Sequence, residues 1–245
     1  MINKINIQQA SESYKTAVPF KHIVLHDVIQ EDILSQVEQE FPSVREVMSV
    51  VYSNPLEIKN ITSGRSGIGT ITNTLIDYLN SKEFVDILQE ITGIERPLIP
   101  DHKLMGGGLH EVPKGGLLKI HADFNKHYET GYDRRVNLLL YLNKEWLPEY
   151  GGNIELWNRE MTTCEVSVSP TFNTMVIFNT DDFSYHGHPD PVTCPDNMKR
   201  KSIALYYYTQ GRPADELNPN PHNSLWAARK GYDADKDVDR LAKGE

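Results

Sequence analysis

The chain has 245 residues, 39% hydrophobic and 24% charged, enough to bury a substantial core as one globular domain. No apolar run approaches the roughly 18–20 residues that span a bilayer, and a net charge of −9 opposes non-specific binding to nucleic acid, so neither membrane nor nucleic acid is an expected partner. The opening MINKINIQQ lacks the apolar stretch of a signal peptide, and Cys164 and Cys194 have neither the number of a disulfide framework nor zinc-site spacing, so the expected compartment is the cytoplasm.

Two helices read first. Residues 30–41 place Ile33, Leu34, Val37 and Phe41 on one stripe, with Glu31 and Asp32 in the first turn and Pro42 past the end. Residues 74–91 repeat the pattern through Leu75, Leu79, Phe84, Leu88 and Ile91, with Gly93 as the stop. Between them, residues 53–70 are rich in Gly, Ser and Asn and read as loop. Their GRSGIG lacks the Gly-Lys-Ser/Thr ending of a phosphate loop. From about residue 98 the texture changes to short strands, expected at 104–109, 117–121, 136–143, 152–157, 173–179 and 202–209, with turn residues between them. After Gly211 the chain turns polar and proline-containing, with one short helix expected at 222–230. These elements predict an α+β protein built on a β-sandwich or jelly roll. Residues 1–97 would form a support region of the same domain, 98–211 the catalytic core and 212–245 a C-terminal tail or arm.

His121 and Asp123 stand in the pattern His-x-Asp, and His186 follows 65 residues after His121. On a strand, residues i and i+2 project from one side, so His121 and Asp123 can reach one ion. Two imidazoles and a carboxylate form the facial ligand set that holds iron(II) and leaves the opposite face open. With nine histidines in the chain, His-x-Asp alone is weak; the surrounding strands carry the reading.

Along 136–143 one face bears Val136, Leu138, Leu140 and Leu142 and reads as core. The other bears Arg135, Asn137, Leu139 and Tyr141 and reads as pocket wall. In the last strand Arg200, Ser202, Ala204, Tyr206 and Tyr208 share a face, with Lys201, Ile203, Leu205 and Tyr207 opposite. An arginine projecting into such a barrel needs an anion to offset its desolvation. A dicarboxylate co-substrate supplies one through a bidentate pair, and Tyr141 adds a hydroxyl donor.

With these motifs in place the chain resembles the iron(II)- and 2-oxoglutarate-dependent dioxygenases, in particular their prolyl-4-hydroxylase-like branch. The resemblance covers residues 100–210 and rests on KIHAD (119–123), RVNLLLYLNKEW (135–146), YGGNIELW (150–157), FSYHGHP (183–189) and RKSIALY (200–206). It implies a double-stranded β-helix of the cupin-like jelly-roll type with the N-terminal helices packed on the barrel. It also implies Fe(II) on His121, Asp123 and His186, and 2-oxoglutarate held through its distal carboxylate by Arg200 and Tyr141. O2 would be the second co-substrate and ascorbate a reductant. His110 and Asn137 are further candidates for the co-substrate wall. His188 competes with His186 as third ligand, Lys201 with Arg200 as anion holder, and His110 is as readily a structural histidine. Trp146 and Trp157 read as core.

The reaction implied is hydroxylation of an unactivated C–H bond, with no catalytic side chain beyond the metal ligands. Asp123 occupies the position that related halogenases leave for halide. The substrate is peptidyl or a small molecule, such as a free amino acid, a sugar or a lipid precursor; oligomeric state is not legible. The competing class is a cupin-like metal-binding protein or isomerase, which has no use for a carboxylate-holding arginine.

Overall fold

The computed structural model describes residues 1–47, 49–213, 216 and 220–244. Four helices and three strands precede the barrel proper: α1 (Ile7–Thr16), β1 (His22–His26), α2 (Glu31–Glu40), β2 (Ser49–Asn54), β3 (Glu57–Thr62), α3 (Thr70–Leu79) and α4 (Lys82–Thr92). Then come β4 (Ile99–Pro100), β5 (Gly108–Val112), β6 (Leu118–Ala122), β7 (Asp133–Tyr141), β8 (Ile154–Trp157) and β9 (Cys164–Val168). The remaining elements are β10 (Thr174–Asn179), β11 (His186–His188), β12 (Arg200–Thr209), β13 (Leu225–Trp226) and α5 (Val238–Ala242).

The strands form one antiparallel sheet in the order β1-β10-β7-β12-β5-β3-β6-β11-β8-β9, with β2 on β3, β4 on β12 and β13 on β6. It curls into the near-closed barrel of a double-stranded β-helix. The α+β jelly roll with N-terminal helices is therefore the observed architecture.

Strand alternation sorts the two faces. Leu138, Leu140, Ile203, Leu205 and Tyr207 point outward and pack in one core with Leu34, Leu75, Leu79, Phe84 and Leu88 of the helices. Each such side chain contributes about 1.5–3 kcal/mol by leaving water. The opposite phase faces the barrel interior, where Tyr141, Ile154, Leu156, Val176 and Phe178 cluster.

The structure redraws several expected elements. The helix expected at 74–91 is two helices. Ser81 caps α4, its side chain accepting from the Phe84 N–H at 3.4 Å, and a cap inside a continuous apolar stripe turns the chain. The preceding helix α3 starts at Thr70, where no side chain of its own cap bonds. Glu40 of α2 supplies the acceptors instead, taking the N–H groups of Ile71 and Thr72 at 3.1 and 2.9 Å. The expected loop at 53–70 contains β3 and the end of β2. Asn54 turns this hairpin by accepting from the N–H groups of Leu56 and Glu57. The strand expected at 104–109 lies later, at β5, because Leu104, Gly106 and Gly108 all have positive φ. The helix expected at 222–230 is absent. Leu225 and Trp226 instead pair with Ala122 and His121, a tertiary partner that local pattern does not encode. Of the C-terminal stretch, 214–215, 217–219 and 245 lie outside the described residues.

A candidate metal centre and its pocket

β6 and β11 run antiparallel with His121 opposite His186, and Asp123 sits one residue past the end of β6. The ligand atoms of the three residues lie within 4.8 Å of one another. Asp123 Oδ1 is 3.5 Å from His121 Nε2, and Oδ2 is 3.4 Å from His186 Nε2. Both rings are fixed from behind. His121 Nδ1 donates to the Lys119 carbonyl at 2.9 Å and His186 Nδ1 to the Ser184 carbonyl at 2.8 Å. A carbonyl only accepts, so the proton sits on Nδ1 and the Nε2 lone pair faces the cluster. Phe178 packs on His186 at 4.6 Å and Trp226 on His121 at 4.9 Å, centroid to centroid.

The electrostatics suit a cation. Burial, against the pull of the Asp123 charge, pushes His186 down to about 4, so its imidazole is neutral at pH 7. Burial also works against an ionised Asp123, but the Arg134 guanidinium beside it holds its carboxyl well below the usual range. Two imidazole nitrogens and one carboxylate oxygen on one side of a point are the donor set of an open-faced iron(II) site, and no fourth ligand joins the cluster among the described residues.

Arg134 is the functional residue that alternation misplaces. Along β7 the expected pocket face held Arg135. The register against β12 shifts between Tyr207, opposite Val136, and Tyr208, opposite Arg134, leaving Arg135 as the extra residue of a bulge. Arg134 therefore turns inward and Arg135 outward to Glu216 at 3.1 Å. Inside, Arg134 lies between the rings of Tyr206 and Phe124, at 3.5 and 4.3 Å to their centroids. Its Nε donates to Asn137 Oδ1 at 2.9 Å. One terminal nitrogen stands 3.1 Å from Asp123 Oδ2, an ion pair whose N–H is not aligned as a hydrogen bond. Asn137 completes the bracket, donating to the same oxygen at 2.6 Å. The Asn137 side chain borders the pocket, with both ends of its amide engaged by Asp123 and Arg134.

At the other end of the same cavity is Arg200, the first residue of β12 and 4% exposed. Its Nε donates to the Gly152 carbonyl at 2.6 Å and a terminal nitrogen to the Tyr141 hydroxyl at 3.1 Å. Gly152 has φ +72° and a Cβ there would lie 3.0 Å from Arg200 Cδ, so glycine is needed at this contact. Burial raises the Tyr141 hydroxyl, which keeps its proton to donate. Among the described residues no carboxylate pairs with Arg200. Lys201, the competing anion holder, faces outward and bonds Glu38 at 3.0 Å. His110 lines the cavity from β5 and contacts the Gly106 carbonyl at 3.3 Å. Burial first, then the charge of Lys59, pushes it down to about 3. His188 also lines the cavity, outside the three-residue cluster. Trp146 and Trp157 lie in small cores.

Trp226 was not foreseen, since its stretch read as tail or helix. The segment that carries it is tied down by the buried Asp235, which takes Lys119 at 2.7 Å and Arg229 at 2.7 Å, and Arg229 also reaches the exposed Asp190 at 2.8 Å.

Residues 107–208 match the sequence profile of the 2OG-Fe(II) oxygenase superfamily. No curated protein sequence matches the chain. Among solved structures, a Pseudomonas putida prolyl-4-hydroxylase aligns at 14% identity over 82% of this chain and 100% of its own, with a TM-score of 0.60. A Trichoplax adhaerens prolyl hydroxylase, in complex with a hypoxia inducible factor oxygen degradation domain peptide fragment, aligns at 18% identity over 83% and 90%, TM-score 0.56. HygX from Streptomyces hygroscopicus, with nickel, 2-oxoglutarate and hygromycin B bound, aligns at 14% identity over 90% and 97%, TM-score 0.53. At these identities the likeness is one of fold.

Proposed function

We propose, from the match of residues 107–208 to the 2OG-Fe(II) oxygenase superfamily profile, that the protein is an oxygenase of this kind and hydroxylates an unactivated C–H bond, in the manner of the prolyl hydroxylases. His121, Asp123 and His186 would hold ferrous iron, and Arg200 with Tyr141 would hold the distal carboxylate of 2-oxoglutarate. Iron bound there supplies the coupling of O2 reduction to decarboxylation of 2-oxoglutarate, giving succinate and CO2. The protein's own part is orientation. The two Nδ1–carbonyl bonds aim the histidines, Arg134 and Asn137 keep Asp123 charged and in place, and Tyr141 turns Arg200 toward the cavity.

The single observation that carries the reading is Arg200, a buried guanidinium with hydrogen bonds but no carboxylate partner among the described residues, in one cavity with the triad. A dicarboxylate answers that charge. A cupin-like metal protein without an anionic co-substrate leaves it unexplained. Asp123 fills the position a halide would need, which favours hydroxylation over halogenation. His110 would be a further co-substrate contact.

A peptidyl residue is the first substrate class to try, since the Pseudomonas and Trichoplax proteins are prolyl hydroxylases; a small molecule is the second, since HygX is bound to hygromycin B. A reducing compartment is part of the proposal, and Cys164 and Cys194 are both free. Supplied with Fe(II), 2-oxoglutarate and O2, the protein should release succinate slowly on its own and faster with its substrate, with ascorbate prolonging turnover. The product should gain one oxygen by mass spectrometry. An iron-loaded protein that binds no 2-oxoglutarate by calorimetry would overturn the reading in favour of the cupin-like class.

A further inference from the structure

His188 follows His186 by two residues on β11, so both rings project to the same side. Their register against β6 shifts: His186 lies opposite His121, and His188 opposite Leu118. Gly187 permits this close approach, since a Cβ there would stand 2.6 Å from the Leu118 carbonyl oxygen and 2.9 Å from that of Lys119. The result places His188 toward Leu118 and away from Asp123, in the wall of the cavity that contains both the triad and Arg200. Arg200 and Lys59 line the same cavity.

Two features set this histidine apart from those of the triad. Their Nδ1 atoms are bonded to backbone carbonyls, whereas His188 Nδ1 has no hydrogen-bond partner although the residue is 3% exposed. Leaving a buried polar nitrogen unpaired is unfavourable. Aliphatic side chains, Val112, Leu118, Leu139 and Ile154, share this wall with the polar groups of the site. If packing were the only task at this position, an aliphatic residue would perform it without an orphaned nitrogen.

We propose that His188 is a co-substrate contact: its imidazole N–H donates to an oxygen of 2-oxoglutarate lying between Arg200 and the triad, and it is not a metal ligand. This rests on the oxygenase reading above. A neutral imidazole presents one donor, and a hydrogen bond to a charged or strongly polarised oxygen is among the stronger kinds. The contact would add a polar grip on the interior of the co-substrate, distinct from the grip on its distal end.

The test is anaerobic calorimetry of 2-oxoglutarate into the iron-loaded wild type, His188→Val and His188→Asn, with Fe(II) affinity measured first in each. Valine should raise the 2-oxoglutarate Kd by about tenfold or more, the loss expected for a hydrogen bond to a charged acceptor. Asparagine keeps a donor near the Nδ1 position and should stay within about threefold of wild type, and neither should alter Fe(II) affinity. A valine protein that binds 2-oxoglutarate as the wild type does overturns this proposal alone. Loss of iron from both variants also overturns it and makes His188 a ligand. A wild type that binds iron but no 2-oxoglutarate overturns the underlying oxygenase reading itself.

Discussion

Arg134 and Arg200 are both buried cations, 1% and 4% exposed, on inward-facing positions of paired strands. They differ in what answers the charge. Arg134 has Asp123 at 3.1 Å, Asn137, and two aromatic rings above and below it. Arg200 has one carbonyl and one tyrosine hydroxyl, both of which accept hydrogen bonds without supplying a full negative charge. One end of the cavity is thus complete within the protein, ready to fix a carboxylate as a ligand. The other is complete only with an anion from outside. A buried charge with its partner in place is structure, and a buried charge without one is recognition.

The comparison can be broken first at Arg134. Arg134→Ala leaves Asp123 buried without its main counter-charge, and breaking one side of a buried pair costs about 3–5 kcal/mol. Urea unfolding of the metal-free variant should show a loss of that order, along with weaker Fe(II) binding. Wild-type stability in Arg134→Ala would mean that Asp123 does not depend on this cation.

A smaller effect is expected from Trp226, which stacks on His121 from the C-terminal stretch. Groups that orient a metal ligand from behind are worth about 10–100-fold in affinity. Trp226→Ala should fall near the lower end, about tenfold in Fe(II) Kd, because the Nδ1 bond to Lys119 still holds the ring. An unchanged Kd would make the stacking incidental.

The least of the three is a pH effect on the metal-free protein. His186 has its pKa lowered from 6.5 to about 4, chiefly by burial. Between those values the unfolded chain takes up a proton that the folded chain refuses. Stability is therefore full above about pH 6.5 and falls as the pH drops toward 4, by at most about 1 kcal/mol per pH unit from this group. Urea midpoints at pH 7, 6 and 5 should decline in wild type and decline less in His186→Gln. Equal declines would show that other groups account for the slope.

Much of this site is visible in residue spacing, because a period of two is a strong constraint. The i, i+2 pairing of His121 with Asp123 and the two faces of β12, with Arg200 in and Lys201 out, survive folding intact. Arg134 does not follow from alternation. Its inward turn depends on a bulge, set by pairing with β12 and not by local pattern. Trp226 and β3 were hidden for a related reason: each pairs with a strand distant in sequence. The split between α3 and α4 was legible in Asn80-Ser81, a capping pair, but a continuous apolar stripe hid it.

The most direct measurement of the central claim is an anaerobic titration of 2-oxoglutarate into iron-loaded wild type, Arg200→Ala and Lys201→Ala, followed by the visible charge-transfer band of the chelate. Lys201 bonds Glu38 outside the cavity, so Lys201→Ala should titrate as wild type. Arg200→Ala should retain iron but require roughly 200-fold or more 2-oxoglutarate, the equivalent of about 3–5 kcal/mol for a buried ion pair broken on one side. A wild type without the band, or an Arg200→Ala protein that titrates like wild type, would contradict the account.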